Sequence, residues 1–550
     1  MPRPPALVLL NARSLDTARR VQALYPQARI YGLSGRVPGA DQSYHNVGDT
    51  LRQLYRQDTP IIACCAAGIL IRSLAPLLLD KGAEPPVLAL AEDGSAVVPL
   101  LGGLGGVNRM AREIAAVLEV APAITTSGEL RFGTCLLNPP DDHVLADLEQ
   151  GKRLVSDLLA GASVRIEGDA PWLDDVPLSR ETTASRCIRI SPECPVDNPH
   201  ELRIHPRQLL LQVQQPGTPA QIRQLLERAG LAGPALAAVL ADEHLRGQAW
   251  PEQLAAELNL PLRFLRPDDV LPAPCQQQDG LSLHHCPSPE AARQTGRPRG
   301  RLSVVGLGPG AASQRLPLVS QALAEAEDIL GYVPYVAMAG PFRPEQQLHA
   351  SDNREELQRA AHAFELAATG RRVVMVSSGD PGVFAMAAAV LEALETSGNP
   401  RWQRVALDIL PGVSAAMATA ARAGAPLGHD FCLISLSDNL KPWTVIEQRL
   451  EHAGLADLVM GFYNPVSRAR PWQLAQALAI VARHRTPETQ VVLGRDMGRP
   501  GERLLLTTLG ELQVEQVDMR TLVIIGSSRT RRFHSAGRDW VYTPRHYSPD

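Results

Sequence analysis

The chain has 550 residues, with 54 basic and 58 acidic side chains and a formal net charge of −4 at pH 7. So even a balance gives no electrostatic footprint for nucleic acid or an anionic membrane, and neither is expected as a partner. With 45% hydrophobic and 20% charged residues the chain is composed to fold, and at roughly 100–200 residues per domain its length predicts about three or four domains.

The longest apolar run, residues 61–71, stops at Arg72, well short of the ~18 residues needed to cross a bilayer. The run at 6–10 is too short for a signal-peptide core, so the expected location is the cytoplasm, with the eight cysteines reduced. Short β-branched runs at 6–10, 60–65 and 87–91 read as strands, and 70–79 and 108–118 as helices. Residues 136–200, rich in Asp, Pro and Ser, read as irregular. A helical period returns at 218–230 and 251–260, with a strand at 235–241. Between 267 and 300 Pro, Gln, Ser and Gly accumulate without a period, the composition of a linker. Cys64-Cys65 read as small core residues, and His284-His285-Cys286 as a surface loop, because adjacent residues lack the spacing of a metal site; no metal is expected.

The second half alternates strands at 302–305, 373–376, 406–409, 431–435, 458–462, 490–493 and 521–525 with Ala/Leu-rich helices, the pattern of an α/β fold. Ligands of such folds bind beyond the carboxyl ends of strands, so the loops there carry the functional signal. The first is Gly306-Leu307-Gly308-Pro309-Gly310-Ala311. As a dinucleotide fingerprint it fails: Pro309 has no N–H, and the next helical pattern starts only at Leu316-Pro317, while Glu327-Asp328 read as part of a helical run. The others are Ser377-Ser378-Gly379-Asp380-Pro381-Gly382-Val383-Phe384, Leu410-Pro411-Gly412-Val413-Ser414-Ala415, Tyr463-Asn464-Pro465 and Leu493-Gly494-Arg495-Asp496-Met497-Gly498-Arg499. Asp380 and Ser414 also read simply as turn and cap residues.

Taken in order, these motifs resemble the tetrapyrrole methylases of cobalamin biosynthesis over residues 301–547. Gly331-Tyr332-Val333-Pro334-Tyr335-Val336 and the run from Gly424-Ala425-Pro426 through His429-Asp430 to Ser437-Asp438 complete the likeness. The resemblance implies a two-lobed α/β fold, usually dimeric, that binds S-adenosylmethionine between the lobes. It further implies methylation at C17 of precorrin-3B with ring contraction. By motif, Gly379, Asp380, Val383, Phe384, Ser414, Ala415, Tyr463, Asn464, Leu493 and Gly494 are implied to line the cofactor site. Gly308, Pro309, Gly310 and Arg495 are implied on the substrate side, Arg495 as a bidentate partner for substrate carboxylates. Methyl transfer needs alignment more than a side-chain nucleophile, whereas ring contraction needs a general base. His429, Asp438 and Asp380 are its candidates by residue type. A methylase acting at another ring carbon and, from a different class, a Rossmann oxidoreductase built on 306–311 are the alternatives.

The first half resembles the cobalt-precorrin-5A hydrolase family through Ala66-Ala67-Gly68, Lys81 with Pro86-Val87, Asp93-Gly94, Leu100-Leu101-Gly102-Gly103-Leu104-Gly105-Gly106-Val107-Asn108 and Ala111-Arg112-Glu113. The family's acid/base histidine in the glycine loop is replaced here by Gly103 or Leu104, and Leu211-Gln212-Val213-Gln214-Gln215-Pro216-Gly217-Thr218 lacks the glycines and Cys-Arg pair that open the family's C-terminal domain. The resemblance divides the half into an N-terminal α/β domain (1–135), the irregular segment (136–200), and a degenerate C-terminal domain with linker (201–297). It implies a scaffold whose glycine loop and Asn108 still meet a tetrapyrrole or a partner, with a bifunctional methylase and lactone hydrolase as the alternative.

Overall fold

The computed structural model describes residues 4–25, 27–78, 84–195, 198–266, 269–352, 356–467 and 469–546. The expected helix end Leu79, the motif residue Lys81 and the domain end Tyr547 lie outside them. The chain forms two compact units, Met1–Arg299 and Gly300–Asp550.

Among the described residues the first unit carries three sheets. In the first, Gln42–Tyr44, Arg29–Leu33, Ala6–Leu9, Ile61–Cys64 and Val87–Leu90 run parallel in that spatial order, and Val97–Leu101 closes the edge antiparallel. Its central strands are buried on both faces, as strands covered by helices on each side must be.

Residues 136–200, expected to be irregular, contribute to a four-stranded sheet of His143–Leu145, Glu201–Pro206, Arg186–Ile190 and Val164–Glu167, with the helix Leu148–Leu159. Charge hid these strands. Arg165, Glu167, Arg189, Glu201 and Arg203 occupy alternate positions and neutralise one another, with Arg203 Nη2 2.6 Å and Arg189 Nε 3.1 Å from Glu201.

The expected linker is likewise folded. Pro274–Gln278 and Leu281–His285 form a hairpin in a five-stranded sheet with Leu209–Val213, Leu236–Asp242 and Leu262–Leu265, and Ser288 caps the helix Pro289–Gln294. Because Leu281–His285 is an interior strand, His284 points inward and His285 outward. His284 is buried, its Nδ1 2.8 Å from Pro272 O and its Nε2 3.1 Å from Gln212 Oε1, so the surface-loop reading fails there.

The second unit has two lobes. The first is a parallel sheet in the order Gln347–Ser351, Asp328–Tyr332, Arg372–Ser377, Arg301–Gly306, Ala406–Leu410. Asp328, expected inside a helix, starts a strand, where the buried carboxylate pairs with Arg371 and with His349 Nε2 at 2.9 Å. The second lobe orders Phe431–Ser435, Val459–Tyr463, Thr521–Ile525, Gln490–Arg495 and Arg503–Thr508; its first pair is parallel and the rest antiparallel. A ribbon of Arg531–Ser535 and Arg538–Tyr542 pairs with Gly424–Ala425.

Candidate functional site

Three neighbouring parallel strands, Arg301–Gly306, Arg372–Ser377 and Ala406–Leu410, release their loops at one end of the first lobe. The loops touch backbone to backbone. Gly308 and Gly379 exchange hydrogen bonds, N to O at 3.1 Å and 2.8 Å. A Cβ on Gly306 would fall 2.4 Å from Gly379 O, and one on Gly412 2.2 Å from the same atom, so no side chain fits at either place. Gly308 and Gly379 also have φ of +75° and +68°, which L side chains rarely adopt. No helix starts at the first loop: a short 3-10 turn, Ala312–Gln314, intervenes, and the helix Pro317–Glu325 begins where the proline pattern puts it.

Asp380 ties the loops together. Its Oδ1 accepts the Gly382 N–H at 2.8 Å and its Oδ2 the Gly412 N–H at 3.0 Å. Phe384 follows at φ +54°, a strained conformation for an aromatic residue, and is 52% exposed. Its ring centroid lies 5.3 Å from that of Tyr463, at the strand end of the second lobe. Tyr463 Oη accepts the Ala416 N–H at 3.0 Å, and Ser414 Oγ accepts from Met417 N as the N-cap of Ala415–Ala423. Burial raises the Tyr463 hydroxyl above its ordinary pKa, against the lowering effect of its bonds to Ser414 and Ala416, so it keeps its proton at neutral pH. Asn464, at φ +52°, donates to Ser435 Oγ at 3.0 Å. Thus Gly379, Asp380, Val383, Phe384, Ser414, Ala415, Tyr463 and Asn464 are brought together along connected loops. Leu493 and Gly494 serve the interior: Leu493 is core, and a Cβ on Gly494 would lie 2.3 Å from Thr419 Oγ1 on the helix behind.

The comparisons with known proteins address this unit and part of the first. A model for tetrapyrrole (corrin/porphyrin) methylases matches residues 301–513, and one for the cobalamin synthesis G N-terminal region matches 49–129. Precorrin-3B C(17)-methyltransferase of Sinorhizobium sp is 53% identical over 250 residues, 45% of this chain and 98% of that protein. The chain belongs to the tetrapyrrole methylase family. Cobalamin biosynthesis protein CobIJ of Mycobacterium bovis is 46% identical over 252 residues, 45% of this chain but only 48% of that protein. The crystal structure of the methyltransferase CobJ is 50% identical, matched over 44% of this chain and 100% of that one with a TM-score of 0.42. The chain is therefore a methyltransferase carrying a cobalamin-synthesis-G-like module ahead of its methylase unit.

The methylase unit separates the three candidate bases. His429 precedes the strand Phe431–Ser435, and Asp438 follows it, so about 13 Å of extended chain lies between them. The strand-end loops of Tyr463 and Asn464 lie on the Asp438 side, joined through Ser435. His429 Nδ1 accepts the N–H of Asp430 at 2.8 Å in the turn at the far end. Asp380 spends an oxygen on each of two amides, whereas Asp438 gives only Oδ2, to Gln473 Nε2 at 3.1 Å.

Arg495 is not positioned as expected. Its Nε donates to Asp518 Oδ2 at 2.9 Å and its Nη1 to Asp496 Oδ2 at 2.8 Å, so internal carboxylates take two of its three nitrogens. The arginine that reaches the glycine loop is Arg499, four residues on. Its Nε donates to Pro309 O and its Nη2 to Ser378 Oγ, both at 2.8 Å. Spacing within the motif could not separate the two; the ring of acids around Arg495 is visible only in three dimensions.

Proposed function

We propose that the Gly300–Asp550 unit transfers the methyl group of S-adenosylmethionine to C17 of precorrin-3B, with ring contraction to precorrin-4, in the cytoplasm and as a homodimer through this unit. The observation that carries the reading is the 53% identity running through 98% of a precorrin-3B C(17)-methyltransferase, aligned with strand-end loops stripped of side-chain bulk.

The loops suit the nucleoside donor. Gly379 and Gly412 let the loops stack main chain on main chain, and the exposed Phe384 ring beside them offers a face for a base. Gly379, Asp380, Val383, Phe384, Ser414, Ala415, Tyr463 and Asn464 hold the donor, while Leu493 and Gly494, whose strand is paired on both sides, pack the interior. Gly308, Pro309 and Gly310 face the macrocycle. The donor supplies an already activated sulfonium methyl, so the protein's task is alignment. Asp438, with one carboxylate oxygen uncommitted among the described residues, takes the proton released in ring contraction.

The first unit we propose to be a scaffold: residues 49–129 match the cobalamin synthesis G N-terminal region, while the glycine loop at 102–106 has no histidine and the 201–297 segment is degenerate. Incubation of the full chain with precorrin-3B and S-adenosylmethionine, followed by mass spectrometry, is expected to yield precorrin-4. Titration is expected to give tight S-adenosylhomocysteine binding and none of NADPH; the reverse would return the oxidoreductase reading.

A further inference from the structure

Around the loop that follows Gln490–Arg495, arginines and acids pair off. Arg495 meets Asp496 and Asp518, Arg520 Nε lies 2.6 Å from Asp496 Oδ1, and Arg422 Nε lies 2.6 Å from Glu502 Oε1. The second oxygen of Glu502 takes the Gly498 N–H at 2.8 Å. Unlike Arg495, Arg520 and Arg422, Arg499 has no carboxylate within ion-pair distance among the described residues. Its two bonds run to neutral oxygens, Pro309 O and Ser378 Oγ, and leave Nη1 without a protein acceptor there. A half-buried guanidinium without a counter-charge is costly, and it is retained where an anion arrives from outside.

The surroundings fit a flat acidic ligand. Arg499 sits where strand-end loops of both lobes meet, and Gly310 is bare against it, since a Cβ there would lie 2.3 Å from Arg499 Cγ. Tyr332 and Tyr335 stand edge to face at 5.3 Å, and Arg499 is close enough for its charge to oppose the rise that burial imposes on the Tyr335 hydroxyl. Ser377 Oγ, buried next to Ser378, has no hydrogen-bond partner among the described residues.

We infer that Arg499 is the anchor for a carboxylate side chain of the tetrapyrrole, received on Nη1 while Nε and Nη2 hold the guanidinium plane against Pro309 and Ser378. The inference rests on the methylase reading above and gives Arg499 a role for which Asp496 and Asp518 compete at Arg495.

The test uses the full chain and uroporphyrin I, an octacarboxylate macrocycle whose binding is followed by fluorescence without turnover. Relative to wild type, R499Q is expected to weaken uroporphyrin binding and raise KM for precorrin-3B about tenfold or more, with S-adenosylhomocysteine affinity held within twofold. R499K is expected to recover part of the loss, and R483Q, which removes an equal charge at an exposed site, to change neither. S378A is expected to cost at most a third of the R499Q effect. Unchanged uroporphyrin binding in R499Q would overturn the inference. So would an equal loss in S378A, or a parallel fall in S-adenosylhomocysteine affinity, which would make Arg499 a latch between loops. A wild-type chain that binds uroporphyrin but leaves precorrin-3B unchanged would count against the proposed reaction, and the R499Q binding comparison would still decide the anchor.

Discussion

Asp380 and Gly412 stand 32 positions apart and are joined by one charge-assisted hydrogen bond, Oδ2 accepting the Gly412 N–H at 3.0 Å. With Oδ1 on Gly382, the carboxylate fixes two of the three loops that stack beyond the parallel strands. Bonds to a charged acceptor each contribute about 1.5–3 kcal/mol. D380N is therefore expected to weaken S-adenosylhomocysteine binding about tenfold to a hundredfold in calorimetric titration, with a smaller fall in kcat at saturating donor. If Asp380 were instead the general base, D380N would abolish turnover and leave donor affinity alone.

His429 lies at the amino end of Phe431–Ser435, and the strand-end loops lie at its carboxyl end. H429N is expected to keep kcat and KM for precorrin-3B within about twofold, whereas D438N is expected to lower kcat about a hundredfold, the scale of a lost general base. Steady-state rates of the two variants side by side check this.

Much of the second unit was legible because its strands are apolar, β-branched and bounded by Gly or Pro. Phe431–Ser435 and Thr521–Ile525 have the bounds the sequence predicts. Asp328–Tyr332 was missed because the Ala/Glu-rich helix Pro317–Glu325 runs almost into it and an acid opens it; only the pairing with Arg371 and His349 makes that acid tolerable in a buried strand. Pro274–Gln278 was missed because an edge strand with its side chains mostly in solvent can be written in proline and glutamine. In the site, glycines and aromatics at strand ends were readable from pattern. The choice between Arg495 and Arg499 was not, because it depends on which acids fold back onto which arginine.

Gly494 shows how closely the helix Ala415–Ala423 packs on its strand, since the nearest atoms to an added methyl are Thr419 Oγ1 at 2.3 Å and Cγ2 at 2.5 Å. G494A is expected to destabilise the methylase unit by about 1–3 kcal/mol, the cost of overpacking. T419A alone is expected to cost little, and the double variant to recover only part of the loss, since the Cβ of residue 419 still lies 2.8 Å from the added methyl. Urea unfolding of the three variants closes the cycle.

Glu201 carries an acid-sensitive share of the first unit's stability. Burial raises its pKa, but the bonds from Arg203 and Arg189 outweigh burial and leave it below the ordinary value of 4.5. A lowered folded pKa stabilises above the unfolded value and loses that contribution as pH falls through the folded one. E201Q is expected to cost about 3 kcal/mol at pH 7, because Arg203 is left buried and unpaired, and the gap from wild type is expected to narrow below about pH 4.5. Unfolding at pH 7 and pH 3.5 measures both.

In the proposed reaction a sulfonium methyl passes, beside Asp380, to one defined carbon of the macrocycle. The direct measurement is carbon NMR of the product formed from precorrin-3B and S-adenosylmethionine labelled with carbon-13 at its methyl. A single enriched methyl on C17 of a ring-contracted macrocycle is the expected result. Label on another ring carbon, or none in the tetrapyrrole, would contradict it.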